Sequence, residues 1–192
     1  RVPWLFDEES VSVLRFFAKL KCRLMPYLFR MAVIAHEEGI PIMRPMFLAF
    51  PGDPACETLD RQYMLGDSLL VAPVFSESGE VTYYLPHGTW THLLDGRVQE
   101  GGQWMKEVYD FHSLPLWVKE NTVLPWGGTD HTAAYDYTAG LTLRAYQVSK
   151  PVTVNIPAQD GNTTLSVTVG LKGGALTCDP LGEYMLVNMG GE

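Results

Sequence analysis

Hydrophobic positions fall into two regimes along the chain, one with helical spacing and one with the alternation of strands. Between Glu8 and Glu38 two apolar stripes run at helical spacing. Leu14, Phe17, Leu24, Leu28, Met31 and Ala35 form one, and Val13, Phe16, Leu20, Tyr27 and Ile34 form the other. The pattern predicts a helix apolar over most of its circumference, which is the habit of helices buried inside large structures. Asp7 or Ser10 can cap its start, with Glu8 and Glu9 near the positive end of the dipole. Gly39 and Pro41 supply its stop. Such a helix would be about 46 Å long if straight. Pro26 lies in its interior and predicts a kink or a break.

After the helix, Ile42 to Leu48 is a nearly continuous apolar run. It reads as a strand covered on both faces, as in a parallel sheet, although Pro45 cannot donate to a ladder. Arg44 is the one charge in that run, and a buried charge requires a partner, so an ion pair is expected. A turn at Pro51-Gly52-Asp53-Pro54 leads to a short helix expected from Ala55 to about Leu65. Helix, buried strand and helix make a fragment of α/β architecture. A lone strand of this kind cannot bury itself.

From Asp67 onward the spacing is that of strands. Ser68–Val74, Val81–Leu85, Trp90–Leu94, Gln103–Tyr109 and Leu116–Lys119 alternate with turns, and Val123-Leu124-Pro125 closes the series. Asp95-Gly96 is a strong hairpin signal. Residues 127–134, rich in Gly, Thr, Asp and Ala, read as a linker. A second, smaller β unit follows with candidate strands at Leu141–Tyr146, Val152–Ile156, Thr163–Val169, Ala175–Cys178 and Tyr184–Val187, ending at Gly190-Gly191-Glu192.

Composition narrows the function classes. The 192 residues are 46% hydrophobic and 19% charged, which is globular. A net charge of −8 excludes a phosphate-backbone binder, so no nucleic-acid partner is expected. No apolar run approaches the roughly 20 residues of a membrane helix, so no membrane partner is expected. Cys22, Cys56 and Cys178 fit neither a disulfide framework nor a zinc site; buried thiols in a cytoplasmic protein are expected, with no cofactor or metal. The chain starts at Arg1 without Met or a signal sequence, which reads as a piece of something longer.

Candidate chemistry is sparse. Asp53, Glu57, Asp60 and Asp67 cluster in sequence, but Asp53 and Asp67 fit turn roles better than a pair of glycosidase acids. His36, His87, His92, His112 and His131 form no metal pattern and read as helix-end or surface residues. Trp90, Trp104, Tyr109, Phe111 and Trp117 could stack on sugars, yet at strand spacing they fit a sandwich core.

Several blocks resemble family 31 of the glycoside hydrolases. They are Leu24-Met25-Pro26-Tyr27-Leu28-Phe29, Gly39-Ile40-Pro41-Ile42-Met43-Arg44-Pro45, Phe50-Pro51-Gly52-Asp53-Pro54, and the run from Gln62 through Gly66-Asp67-Ser68 to Val74. Tyr84-Leu85-Pro86-His87-Gly88-Thr89-Trp90 and the stretch Leu114 to Asn121 extend the likeness, which covers residues 1 to about 126. Arg1-Val2-Pro3-Trp4 and Asp60 to Asp67 resemble the bacterial α-xylosidase branch.

The resemblance implies a fold class: an α/β remnant of a (β/α)8 barrel (long helix, last strand, short helix) followed by all-β sandwich domains. Residues 1–66 would be the C-terminal elements of the barrel, 67–126 the proximal β-sandwich and 127–192 part of a distal β-domain. It also implies a retaining α-glycosidase that removes terminal α-xylosyl or α-glucosyl residues from oligosaccharides. The family's two catalytic aspartates belong to earlier barrel strands, and no aspartate here matches them. The resemblance therefore carries over no catalytic residue, and the chain alone is expected to be inactive. Trp4 alone is carried over, as a substrate-binding residue at the pocket rim. The partner is an oligosaccharide met by the full-length enzyme, with homo-oligomerisation left open. The alternative is a stand-alone β-sandwich that binds carbohydrate or another protein. Such a module has no use for a helix that is apolar on every side.

Overall fold

The computed structural model describes residues 2–160 and 163–190. Arg1 of the Arg1-Val2-Pro3-Trp4 segment, and Gly191 and Glu192 at the other end, lie outside the described residues.

The long helix is present as α1 (Glu8–Glu38). Asp7 caps it by accepting from the Ser10 amide at 2.7 Å, and Gly39 ends it in the left-handed region at φ 72°. The expected break at Pro26 is absent; the helix runs through it. Proline has no N–H, so the carbonyl of Cys22, one turn earlier, loses its helical partner. The Tyr135 hydroxyl supplies one at 2.7 Å. One residue on, the Arg23 carbonyl accepts from the Gly127 amide at 2.7 Å, and the Arg23 guanidinium donates back to the Gly127 carbonyl at 2.9 Å. The stretch expected as a free linker is thus docked on the helix. Asp130 adds contacts to Lys19 at 3.6 Å and Arg23 at 3.9 Å.

The expected strand over Ile42–Leu48 is shorter and differently placed. β1 (Met43–Pro45) gives way to one helical turn, α2 (Met46–Ala49), with Pro45 at the turn's N-cap. β1 pairs antiparallel with β2 (Tyr63–Leu65). Nor is the segment covered on both faces: Met43 is 58% exposed and Phe47 55%. The helix expected at Ala55–Leu65 is also corrected. Only a 3-10 turn forms there, Pro54–Cys56, and the rest of the stretch ends in β2. The reason is a two-residue period, with Met64 facing one core and Tyr63 and Leu65 the other.

The strand series of the second regime is present. It comprises β3 (Leu69–Val71), β4 (Glu80–Leu85), β5 (Thr89–His92), β6 (Val98–Glu100), β7 (Gln103–Val108), β8 (Leu116–Lys119) and β9 (Thr122–Trp126). Six strands form one sheet in the order β1-β2-β3-β8-β5-β6, and β4 pairs with β7 as a separate ribbon. β6 was not anticipated; it is the second arm of the hairpin at Asp95-Gly96. The central strands are buried on both faces. Leu70 and Trp117 face the ribbon with Tyr83, Leu85 and Trp90, while Leu69, Val71, Leu116 and Val118 face α1 with Leu24, Tyr27 and Met31. The helix, the sheet and the ribbon therefore form three layers with two cores. Gly66 lets the first two meet: at φ 70°, a Cβ there would collide with the Tyr27 hydroxyl and with Met31.

The strand expected to close the proximal series, β9, hydrogen-bonds instead to β10 (Thr142–Tyr146), which pairs parallel with β14 (Met185–Asn188). β11 (Val152–Pro157), β12 (Thr164–Lys172) and β13 (Ala175–Asp179) form the facing sheet. Val154, Ile156, Val167 and Val169 fill the space between with Leu143 and Ala145. Met25 and Phe29 of α1 pack against this third core, and Phe29 lies 5.4 Å from the Tyr137 ring.

The Pro26 repair is testable by a double-mutant cycle. Tyr135→Phe should cost about 1 kcal/mol in urea unfolding, because it leaves the Cys22 carbonyl unpaired. In a Pro26→Ala background that cost should shrink toward zero, since the restored amide takes over the carbonyl.

Candidate functional site

The carboxylates singled out in the sequence are held in structural roles or stand in solvent. One Asp53 oxygen accepts from the Ala55 amide at 3.0 Å and the other from the Tyr84 hydroxyl at 3.1 Å. Asp67 faces Arg30 at 3.3 Å and accepts from the Ser68 hydroxyl at 2.5 Å. Beside it, the Tyr27 hydroxyl donates to the Leu65 carbonyl at 2.6 Å and accepts from the Ser68 amide at 3.1 Å. Glu57 and Asp60 are exposed. Among the described residues no group of three or more His, Cys, Asp or Glu side chains could hold a metal ion. None of their helices is long and apolar enough to cross a membrane.

Arg44 departs from expectation. It has no carboxylate partner among the described ion pairs; its Nε donates to the Pro41 carbonyl at 3.1 Å. One of its terminal nitrogens donates to the Met31 sulfur at 3.8 Å, and the strand carrying it lies at the end of its sheet and is only part-buried.

The aromatics divide. Trp90 and Trp117 are in the core, as the strand spacing predicts, while Trp104 and Phe111 are 57% and 71% exposed. Trp4 stands in a 3-10 turn, Pro3–Leu5, and is 71% exposed beside the similarly exposed Leu5 and Phe6. Farther along α1, Leu14 and Phe16 are also open to solvent. A groove of about 800 Å³ runs under α1, lined by Phe17, Leu20, Leu24 and Leu28 from the helix and by Tyr63 and Leu116 from the sheet. It is mostly apolar and brings together none of the four carboxylates above.

One polar cluster was not visible in the sequence. Glu107 on β7 points inward and accepts from Tyr83 at 2.5 Å, Tyr109 at 2.7 Å and Arg97 at 2.5 and 3.0 Å. The Arg97 guanidinium also donates to the Tyr109 hydroxyl at 2.6 Å and lies 5.0 Å from the Trp117 ring, whose indole N–H donates to Tyr83 at 3.0 Å. Burial works against the Glu107 charge, but Arg97, Tyr83 and Tyr109 together hold its carboxyl below the ordinary range. His92 joins the cluster, correcting its reading as a surface residue: its side chain is 1% exposed. The missed signal is the alternation of β7, which turns Met105 and Glu107 the same way.

Residues 39–124 match the family model described as the glycosyl hydrolase family 31 C-terminal domain. An α-xylosidase of Lactiplantibacillus pentosus is 37% identical over 187 residues, covering 95% of this chain and 24% of that protein. An α-xylosidase of Emericella nidulans is 44% identical over 133 residues, 65% of this chain and 17% of that protein. A family 31 dextranase of Flavobacterium johnsoniae, solved with glucose, superposes with a TM-score of 0.80 at 26% identity, covering 92% of this chain and 23% of that one. The chain spans about a quarter or less of the length of the relatives it matches.

The cluster's contribution has a defined pH sign. The Glu107 carboxyl is lowered from its ordinary 4.5, so its stabilisation is full above that value and fades as the pH falls through the folded value. Glu107→Gln should therefore cost about 2 kcal/mol in urea unfolding at pH 7. The gap to the parent should narrow as the pH is taken down to about 3.

Proposed function

Given that the chain belongs to glycoside hydrolase family 31 through its C-terminal domain, we propose that it is the C-terminal portion of a retaining α-glycosidase. The whole enzyme removes terminal α-xylosyl residues from oligosaccharides. The observation that carries this reading is the 37% identity to an α-xylosidase along 95% of the chain. The second choice of sugar is an α-glucosyl residue, favoured by the likeness to a dextranase solved with glucose.

In this reading residues 1–66 are the last elements of a barrel, and the nucleophile and acid/base aspartates come from its earlier strands. Three features support it. The four carboxylates Asp53, Glu57, Asp60 and Asp67 are committed to a turn, to an ion pair or to solvent. β1 ends its sheet and leaves an edge to which a further strand can add. Leu14, Phe16, Met43, Phe47 and Leu48 form apolar surface of the kind a neighbouring layer covers. The three cysteines are free thiols, which suits the cytoplasm as the enzyme's compartment. Trp4, exposed ahead of α1, serves at the rim of the sugar pocket.

The test compares the 192-residue chain with a longer polypeptide carrying the upstream barrel. The longer protein should hydrolyse 4-nitrophenyl α-xyloside with retention, faster than the α-glucoside, and the chain alone should release no nitrophenol. Activity of the chain alone would overturn its assignment as a non-catalytic portion. In the longer protein Trp4→Ala should raise KM several-fold and change kcat little, which initial-rate kinetics would read.

A further inference from the structure

The environment of His92 is unusual for a buried histidine. Its ring sits at the end of β5, stacked 6.0 Å from Tyr109 and edge-on to Trp117 at 5.0 Å. Nε2 lies 3.0 Å from the Leu114 carbonyl, which can only accept, so Nε2 carries the proton of the neutral ring. That leaves a lone pair on Nδ1. Two groups of the same residue meet it: the Asp95 amide at 3.4 Å, which can donate to it, and the Asp95 carboxylate oxygen Oδ1 at 3.1 Å, which cannot. At Nδ1 the neutral ring therefore accepts one long hydrogen bond and faces one repulsive contact. A second proton reverses both, because Nδ1–H donates to Oδ1 and the Asp95 amide loses its acceptor.

We propose that His92 and Asp95 form a proton-operated latch in the β5–β6 hairpin. Without the second proton the turn is tied to His92 through the Asp95 amide. With it the turn is tied through the Asp95 carboxylate, by a shorter bond between opposite charges.

The surroundings permit the change. A cleft of about 300 Å³ is lined by His92, Asp95 and Arg97, and the Asp95 side chain beside the ring is 52% exposed, which gives protons a path to Nδ1 along that carboxylate. The charged groups facing the ring come from each packed element. Asp95 in the turn and Glu107 on β7 favour the imidazolium, as does the Leu114 carbonyl, and Arg97 opposes it. Burial opposes it most strongly, so His92 takes its proton below the ordinary histidine value. Arg97 is held off by Glu107 at 2.5 Å and shares Asp95 only through Nε at 3.4 Å, which leaves Oδ1 for the ring. Oδ1 also accepts the Arg97 amide at 3.0 Å, so the latch reaches the residue just before β6.

The linkage sign follows. A histidine lowered in the fold binds its proton less readily than the unfolded chain, so stability declines as the pH falls below about 6.5. Asp95 limits that decline. The experiment is a ¹H–¹⁵N titration of the imidazoles in the full chain from pH 8 to pH 4.5, with urea unfolding at each end. The neutral His92 should be the Nε2–H tautomer and should take its second proton below the ordinary histidine value of about 6.5, with the Asp95 amide shifting at the same midpoint. Asp95→Asn should lower the His92 proton affinity at least about threefold, half a pKa unit. It should also steepen the acid loss of stability, while His92→Gln should flatten it. An Nδ1–H tautomer in the unaltered protein, an absent titration, or an unchanged midpoint in Asp95→Asn would overturn the latch. The tautomer and the amide shift need no variant, so the outcome stands even where a substitution fails to fold.

Discussion

A missing hydrogen-bond donor organises the molecule. Pro26 removes one amide from the middle of α1, and the carbonyl it abandons at Cys22 is part-buried and loses its helical partner. The repair comes from across the chain, through Tyr135 and through the Gly127 contact one residue further on. The interruption in the helix thereby becomes the fastening point of the distal sheets. Around that point α1 turns one set of side chains, Leu24, Tyr27 and Met31, to the proximal sheet, and another, Met25 and Phe29, to the distal core.

This double duty explains why the helix is apolar on several sides. A surface helix needs one stripe. Here both stripes meet on the proximal core, through Leu24, Leu28 and Met31 and through Leu20, Tyr27 and Ile34, the distal core takes Met25 and Phe29 from between them, and Leu14 and Phe16 toward the start stay exposed. The sheet beneath shows the same logic at right angles. Leu70 and Trp117 face the ribbon while their neighbours face the helix, so β3 and the first three residues of β8 read as apolar runs although both strands pair antiparallel. Continuous hydrophobicity in a strand reports burial on both faces, and parallel pairing is only one way to achieve it.

Much of the architecture was legible because local signals and tertiary contacts agree. The Asp7 cap, the Gly39 stop and the Asp95-Gly96 hairpin are each determined within a few residues, and the structure has them where the residues place them. The run Met43 to Leu48 was misread because hydrophobicity does not reveal that Pro45 closes a strand and opens a helical turn. The Ala55–Leu65 stretch was misread because its three strand residues are too few to show a period. The Glu107 cluster was hidden for another reason. It gathers residues from β4, the β5–β6 hairpin, β7 and β8, and only the fold brings them together. Trp4 was named from resemblance alone, because no local spacing or pairing in this chain points to it.

The Pro26 repair also sets a timetable. Tyr135 is 113 residues downstream of the carbonyl it satisfies, and Gly127 is 104 downstream of Arg23. A ribosome adds roughly 5 to 20 residues each second, so α1 emerges on the order of 6 to 23 s before its second fastening exists. Through that interval a helix with apolar side chains on several faces and an open carbonyl at its centre is held only by what has already been made. For those seconds α1 exposes to water the apolar faces that the finished chain covers.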